Sequence, residues 1–159
     1  MSASSDQPTS FTQNTAKDNR PLLIAMAILA LAGMMVSSVS LQRHYAKSAT
    51  AVCEFGERFN CDIVNRSEYS SLMGIPVAGI GIVGYGMLCA LATVYRAREG
   101  TPLRLLVAAL AGLAFALYLT YVEGYVLETW CILCLSSLAL IAMITVLAAV
   151  LKVRAGQHR

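Results

Sequence analysis

Long apolar segments alternate with shorter polar ones along the chain. Four segments, 21–41, 72–95, 103–124 and 130–151, carry almost no charged side chains. At about 1.5 Å per residue, the first segment spans about 31 Å as a helix, which is enough to cross the hydrocarbon core of a bilayer. The pattern predicts an all-α membrane protein, a four-transmembrane-helix bundle with a long outer loop between helices 1 and 2.

The polar segments define the ends and the connections of this bundle. Residues 1–20 are rich in Ser, Thr, Gln, Asn and Asp, which predicts a disordered tail, and residues 153–159 form a second, short tail. The membrane domain between them covers residues 21–152. Its loop at 42–71 contains four cationic residues, four acidic residues and two cysteines, and its length makes it a candidate functional segment.

Small and aromatic residues predict where helices meet and where the membrane surface lies. The second apolar segment is rich in glycine, and the third repeats a face of small residues: Ala108, Gly112 and Ala116. In lipid, such faces let neighbouring helices approach closely. Three tyrosines end the third segment and predict an interfacial belt: Tyr118, Tyr121 and Tyr125. We expect Glu123 beside them to reach water rather than act as a buried acid.

Composition supports the membrane assignment and excludes other classes. Of the 159 residues, 57% are hydrophobic and 13% are charged, with a mean hydropathy of +0.64, whereas about 25% of residues are charged in an ordinary soluble domain. The net charge of +3 is small and no basic run occurs, so we expect no nucleic-acid partner. The apolar first segment is too long and lies too far along the chain for a signal peptide.

The placement of positive charge predicts the orientation. Most Lys and Arg residues fall in the two tails and in the turn between the second and third apolar segments. By the positive-inside rule, both termini are cytoplasmic in a multi-pass protein of the inner (cytoplasmic) membrane. The loop at 42–71 and the start of the fourth segment then face the outer, oxidising side, where disulfides persist.

Candidate chemistry begins at Cys131 and Cys134, a C-x-x-C at the start of the fourth segment. Two thiols one helical turn apart are typical of thiol–disulfide exchange, which needs a lowered pKa on one sulfur. A helix N-terminus supplies partial positive charge for that shift. A zinc half-site and two packing cysteines are the alternatives. A haem attachment is excluded because Leu135 stands where histidine is required.

A second pair, Cys53 and Cys61, lies in the outer loop. Two pairs on one side of the membrane predict a relay of two electrons from an aqueous protein to the lipid phase. A four-cysteine zinc site and a purely structural Cys53–Cys61 disulfide are alternatives, but C-x7-C is wide for zinc and we expect no metal. Cys89 is expected to be a packing residue. Since haem, nucleotide and iron–sulfur signatures are absent from the sequence, a lipid-soluble quinone is the acceptor by elimination.

These motifs together resemble the vitamin K epoxide reductase family over residues 21–151. The matching features are Cys53, Cys61 followed by Asp62-Ile63-Val64-Asn65-Arg66-Ser67, Gly74-Ile75-Pro76 before a glycine-rich helix, and Cys131-Ile132-Leu133-Cys134. The resemblance implies that Cys134 faces a quinone of the menaquinone, ubiquinone or phylloquinone type, with Ser67 nearby. It further implies that Cys131 exchanges with Cys61, and that Cys53 receives electrons from a soluble thioredoxin-like (DsbA-like) protein. We expect that partner to be a separate protein on the outer side.

The resemblance predicts a quinone-dependent thiol oxidoreductase that supports disulfide-bond formation. The animal vitamin K enzymes carry a tyrosine where this chain has Leu138 and an asparagine in the second helix, for which residues 75–84 offer no amide side chain. Because these two residues are missing, vitamin K epoxide or quinone reduction is kept as the alternative activity and not as the main prediction. A non-catalytic membrane scaffold with a structural loop disulfide is the alternative from another class. An unrelated quinone-linked bundle is disfavoured because its C-x-x-C lies in the first outer loop.

Overall fold

Four helices and one short hairpin make up the part of the chain that the computed structural model describes, which is residues 19–45, 61, 64, 67, 70–72, 74–94 and 100–157. The helices are α1 (Arg20–Tyr45), α2 (Val77–Thr93), α3 (Thr101–Tyr125) and α4 (Ile132–Gln157). The strands β1 (Ser71–Leu72) and β2 (Ile75–Pro76) pair antiparallel immediately before α2.

The helices form a ring in which each packs against two neighbours. Helix α1 lies against α2 and α4, and α3 lies against α4 and α2. The core between them consists of aliphatic residues, small residues and one aromatic ring: Leu23, Met26, Ala27, Ala30, Tyr85, Leu88, Ala92, Leu105, Ala109, Ile141, Ile144, Ala148 and Leu151. The small residues keep the backbones close, as is typical of helix packing in membranes.

The outer surface of the bundle is apolar, opposite to that of a soluble protein. Large side chains such as Ile28, Met35, Val83 and Val107 are more than half exposed. Helices α1, α3 and α4 are each long and apolar enough to cross a membrane. Helix α2 is equally apolar but has 17 residues, or about 25 Å of length. The prediction of four apolar helices is confirmed, and three of them reach full spanning length.

Several helix ends differ from the prediction for local reasons. Helix α2 begins at Val77 rather than at residue 72, because Gly74 has a φ of +84° and the chain turns there between β1 and β2. Helix α1 continues to Tyr45, into the predicted loop, and α4 continues to Gln157, into the predicted C-terminal tail. Polar residues at a membrane surface continue a helix readily, so the end of an apolar segment is not the end of the helix.

Candidate active site

The link between α3 and α4 carries the first cysteine of the C-x-x-C and folds back on the end of α3. The amides of Val126 and Leu127 both donate to the carbonyl of Val122, at 2.9 and 3.0 Å, and the amide of Thr129 donates to the carbonyl of Glu123 at 3.2 Å. Glu128 turns the chain with a φ of +48°. These bonds hold the link against the last turns of α3.

Helix α4 starts directly after Cys131. The amide of Leu135 donates to the carbonyl of Cys131 at 3.0 Å, which is the first turn of the helix. Cys134 lies within that turn, so the two thiols of the motif straddle the helix N-terminus. Trp130 packs on the other side of the link, where its ring lies so close to Gly124 that a Cβ there would be 3.2 Å from it. The indole and the small residue together fix the approach of the link to α3.

Cys131 lies between two other thiols. It forms side-chain hydrogen bonds with Cys134 and with Cys61. Cys61 and Cys131 are 1% and 0% exposed, and with Val64 they form a small buried cluster, which we call the thiol cluster, packed against Leu127, Leu133 and Cys134. The structure therefore brings three of the four predicted site cysteines together. Cys53 lies outside the described residues.

The environment of Cys131 favours the protonated thiol. The hydrogen bond with Cys134 and the burial of the sulfur raise the pKa of Cys131 well above that of an ordinary thiol, and the hydrogen bond with Cys61 opposes this shift only in part. The expectation of a pKa lowered by the helix N-terminus is therefore wrong for Cys131.

Glu123 is buried in the same place, which the sequence analysis did not foresee. It is 1% exposed, and its Oε2 accepts a hydrogen bond from the amide of Cys131 at 3.2 Å. The expectation that Glu123 reaches water is wrong, because the link folds over the end of α3 and covers it. A carboxylate within an apolar segment, eight residues before a C-x-x-C, was the available signal.

A cavity of about 370 Å³ lies between the four helices, beside the thiol cluster. Its walls are mainly aliphatic, and the polar residues that line it are Ser37, Ser40, His44, Ser67, Ser70, Tyr85, Glu123, Cys134 and Ser137. Cys134 and Ser67 thus share one cavity. Among the described residues, Cys61 and Cys131 do not line it. A cavity of this size, with apolar walls and a few polar groups, is typical of a site for a small organic molecule.

Hydrogen bonds orient several of these polar groups. The Tyr85 hydroxyl, on α2, donates to the carbonyl of Ser137 on α4 at 2.9 Å, and its oxygen lies 2.9 Å from Ser137 Oγ. Ser67 Oγ donates to the carbonyl of Val64 at 2.8 Å, and Ser70 Oγ donates to the carbonyl of Ser67 at 2.6 Å. The sequence analysis missed Tyr85 and Ser137, because they meet only where the Tyr85 side chain reaches across the interior of the bundle from α2 to α4.

Three atoms of the kind that bind metals gather beside the cavity. A carboxyl oxygen of Glu123 and the sulfur atoms of Cys131 and Cys134 lie within 4.8 Å of one another. A structural zinc site uses four ligands in tetrahedral geometry. The described residues supply three donors here, one fewer than the four ligands of a structural zinc site.

Comparison with known families places the chain. The family model described as the Vitamin K epoxide reductase family matches residues 24–149. The matched region includes α2, α3, the link with Cys131, and most of α1 and α4 with Cys134. The resemblance seen in the sequence is confirmed, and the chain belongs to the vitamin K epoxide reductase family.

Proposed function

We propose that this protein is a quinone-linked thiol oxidase. Membership of the family makes it a membrane oxidoreductase of a class that uses quinones. In the proposal, electrons pass from a thioredoxin-like partner through Cys53 and Cys61 to Cys131 and Cys134, and then to a quinone, which supports disulfide-bond formation. One observation carries it: Cys61, Cys131 and Cys134 form a hydrogen-bonded series that ends at the wall of the cavity.

The order of the sulfurs supports the division of roles. Cys61 attacks the Cys131 sulfur of a Cys131–Cys134 disulfide, so that a Cys61–Cys131 bond forms and Cys134 leaves as a thiolate. Cys53 then attacks Cys61, closing the Cys53–Cys61 disulfide and leaving Cys131 reduced. That disulfide is in turn reduced by the partner's dithiol, which becomes a disulfide. Two electrons have then entered the C-x-x-C, and Cys134 is the member of the pair that lines the cavity.

The cavity suits a quinone ring. Its aliphatic walls match a lipid-soluble molecule, and the hydroxyls of Ser67, Tyr85 and Ser137 line it. Ser67 and Tyr85 each donate to a backbone carbonyl in this structure, so either hydroxyl would have to turn to meet a quinone oxygen. When bound, the quinone supplies a two-electron, two-proton acceptor. Cys134 would face it, and Ser67 and Tyr85 would orient it. Epoxide reduction has less support, since no described cavity-lining residue carries an amide side chain and Leu138 is not part of the lining.

The proposed orientation puts both termini in the cytoplasm and all four redox cysteines on the outer side of the inner membrane. It requires α2 to cross the bilayer. The helix is about 25 Å long, close to the hydrocarbon thickness of about 30 Å, and the β1–β2 hairpin at its start adds length at the membrane surface. The positive charge in the tails and in the turn before α3 supports this orientation.

The purified protein tests the proposal in a quinone-reduction assay with a reduced thioredoxin-like donor. Cys134→Ser should abolish quinone reduction and accumulate a Cys61–Cys131 disulfide under oxidising conditions. Cys89→Ser is the matched control, since Cys89 is half-buried on α2, packs against the bundle core and does not line the cavity. Normal turnover by Cys134→Ser would contradict the proposal.

The scaffold alternative makes a different prediction about the disulfide bonds of the purified protein. A structural loop disulfide would leave one fixed Cys53–Cys61 bond in thiol-blocked protein, insensitive to the donor. The relay instead predicts several disulfide isomers whose proportions change with added reductant. Mass spectrometry of the cysteine peptides separates the two functions.

A further inference from the structure

Oxidation of the Cys131–Cys134 dithiol beside the apolar cavity requires a group that accepts the thiol protons. Two S–H bonds break when Cys131 and Cys134 form a disulfide, and both protons must leave a place lined largely by hydrocarbon. The described titratable side chains at the cavity are His44 on α1, Tyr85 on α2, Glu123 on α3 and Cys134 on α4, with Cys131 and Cys61 behind them. No lysine or arginine is among the described lining residues.

Of these groups, Glu123 is the one placed at the sulfurs. One of its carboxyl oxygens and the sulfur atoms of Cys131 and Cys134 all lie within 4.8 Å of one another. The Tyr85 hydroxyl is already used, because it donates to the carbonyl of Ser137. His44 Nδ1 lies 3.4 Å from Ser70 Oγ, in the part of the cavity near the loop.

The hydrogen bond that Glu123 makes with the link does not explain why this residue is a carboxylate. Oε2 accepts a hydrogen bond from the amide of Cys131, a contact that a glutamine oxygen would make equally well. Oε1 is buried and has no hydrogen-bond partner among the described residues. An unpartnered carboxyl oxygen in an apolar site is costly, and such groups are typical of functional positions.

We propose that Glu123 is the proton acceptor for the dithiol, a role that rests on the proposed function. Glu123 takes the proton of Cys134 as the sulfur gives up its electrons, and releases it toward the acceptor in the cavity. The proton of Cys131 follows through the same carboxylate. One S–S bond forms, two S–H bonds break, and two electrons and two protons reach the quinone to give the hydroquinone. Glu123 ends ionised, as it began.

Glu123→Gln tests this role, with Glu128→Gln as the matched control. Both changes remove one carboxylate, but Glu123 is buried on α3, whereas Glu128 is exposed on the link between α3 and α4. At pH 7 Glu123→Gln should slow quinone reduction by about 10²–10⁴-fold, the usual contribution of a positioned base. The deficit should shrink about tenfold per pH unit as hydroxide replaces the base, while Glu128→Gln behaves like the wild type. A deficit that stays constant with pH would contradict the proposal.

An infrared measurement on the reduced, quinone-free protein provides a readout independent of turnover. A thiol that donates to a carboxylate has its S–H stretching band shifted to low frequency. Cys134→Ser should remove this band, Glu123→Gln should shift it upward, and Glu128→Gln should leave it in place. An unchanged band in Glu123→Gln, or wild-type turnover by that variant, would contradict this inference alone. Failure of the wild type to reduce any quinone would contradict the proposed function and this inference with it.

Discussion

Replacement of Gly33 by alanine probes how Tyr85 is held at the cavity. Gly33 is buried on α1 and faces the Tyr85 ring of α2, and a Cβ at this position would meet Cδ1, Cε1 and Cζ of the ring, all within 2.6 Å. The ring would have to retreat by about 1 Å to reach ordinary contact distance. That retreat would break the 2.9 Å hydrogen bond from Tyr85 to the Ser137 carbonyl.

The expected cost follows from these two changes. Overpacking costs about 1–3 kcal/mol, and loss of a hydrogen bond between membrane helices adds about 0.6–1.5 kcal/mol. Gly86→Ala is the control, because its Cβ would lie 3.9 Å from Met34 Cε and the helix-propensity gain of about 1 kcal/mol is common to both variants. Gly33→Ala should therefore lower the free energy of unfolding by about 2–4 kcal/mol relative to Gly86→Ala.

Denaturant unfolding of the purified protein in detergent or bicelles measures this difference. Adding Tyr85→Leu to Gly33→Ala should cost less than the sum of the two single changes, because the smaller side chain removes the clash. Quinone reduction should fall in Gly33→Ala, since a displaced Tyr85 intrudes on the cavity it lines. Equal unfolding free energies for Gly33→Ala and Gly86→Ala would refute the argument.

Two further predictions concern the thiols and the helix contacts. An ordinary thiol has a pKa of about 8.5 and is half ionised at that pH. Because the pKa of Cys131 is raised, its thiolate fraction should still be increasing with pH at and above about pH 8.5. Alkylation of Cys131 in reduced protein, followed by mass spectrometry, should increase about tenfold per pH unit through pH 9, and a plateau near pH 8.5 would contradict this. Thr145 Oγ1 donates to the carbonyls of Ile141 and Ala109 at 2.7 and 3.3 Å. Thr145→Val should cost less than about 1 kcal/mol in the same unfolding assay, and a loss above about 2 kcal/mol would mean that the contact between α3 and α4 depends on this hydroxyl.

The existence and order of the helices could be predicted because hydrophobicity is a local property. Each apolar segment became one helix. Helices α1 and α4 are longer than predicted because polar residues continue each helix past the end of its apolar segment. The start of α2 was less predictable. Residues 72–76 are apolar, yet Gly74 turns the chain into a hairpin, and apolarity alone does not distinguish a strand from a helix over so few residues.

The site was predictable only as far as its chemistry lay in motifs. The cysteines stood out by spacing, and the resemblance supplied Ser67. Glu123 was misjudged because its neighbours Tyr121 and Tyr125 are exposed, and its own burial depends on how the following link folds. Tyr85 and Ser137 are 52 positions apart in sequence. Their contact depends on how all four helices assemble, because the Tyr85 side chain crosses the bundle interior to reach α4, and no local pattern encodes that assembly.

The complete burial of Cys131 has a consequence for selectivity. Its sulfur has no exposed surface, and it lies in the thiol cluster with Cys61, against which Cys134 packs. Small thiols and oxidants in solution can reach it only when the cluster opens locally, so their rates are limited by a rare conformational event. In the proposed relay, this burial would keep small thiols in solution from exchanging with the middle cysteine, so that electrons enter from the partner and leave to the quinone.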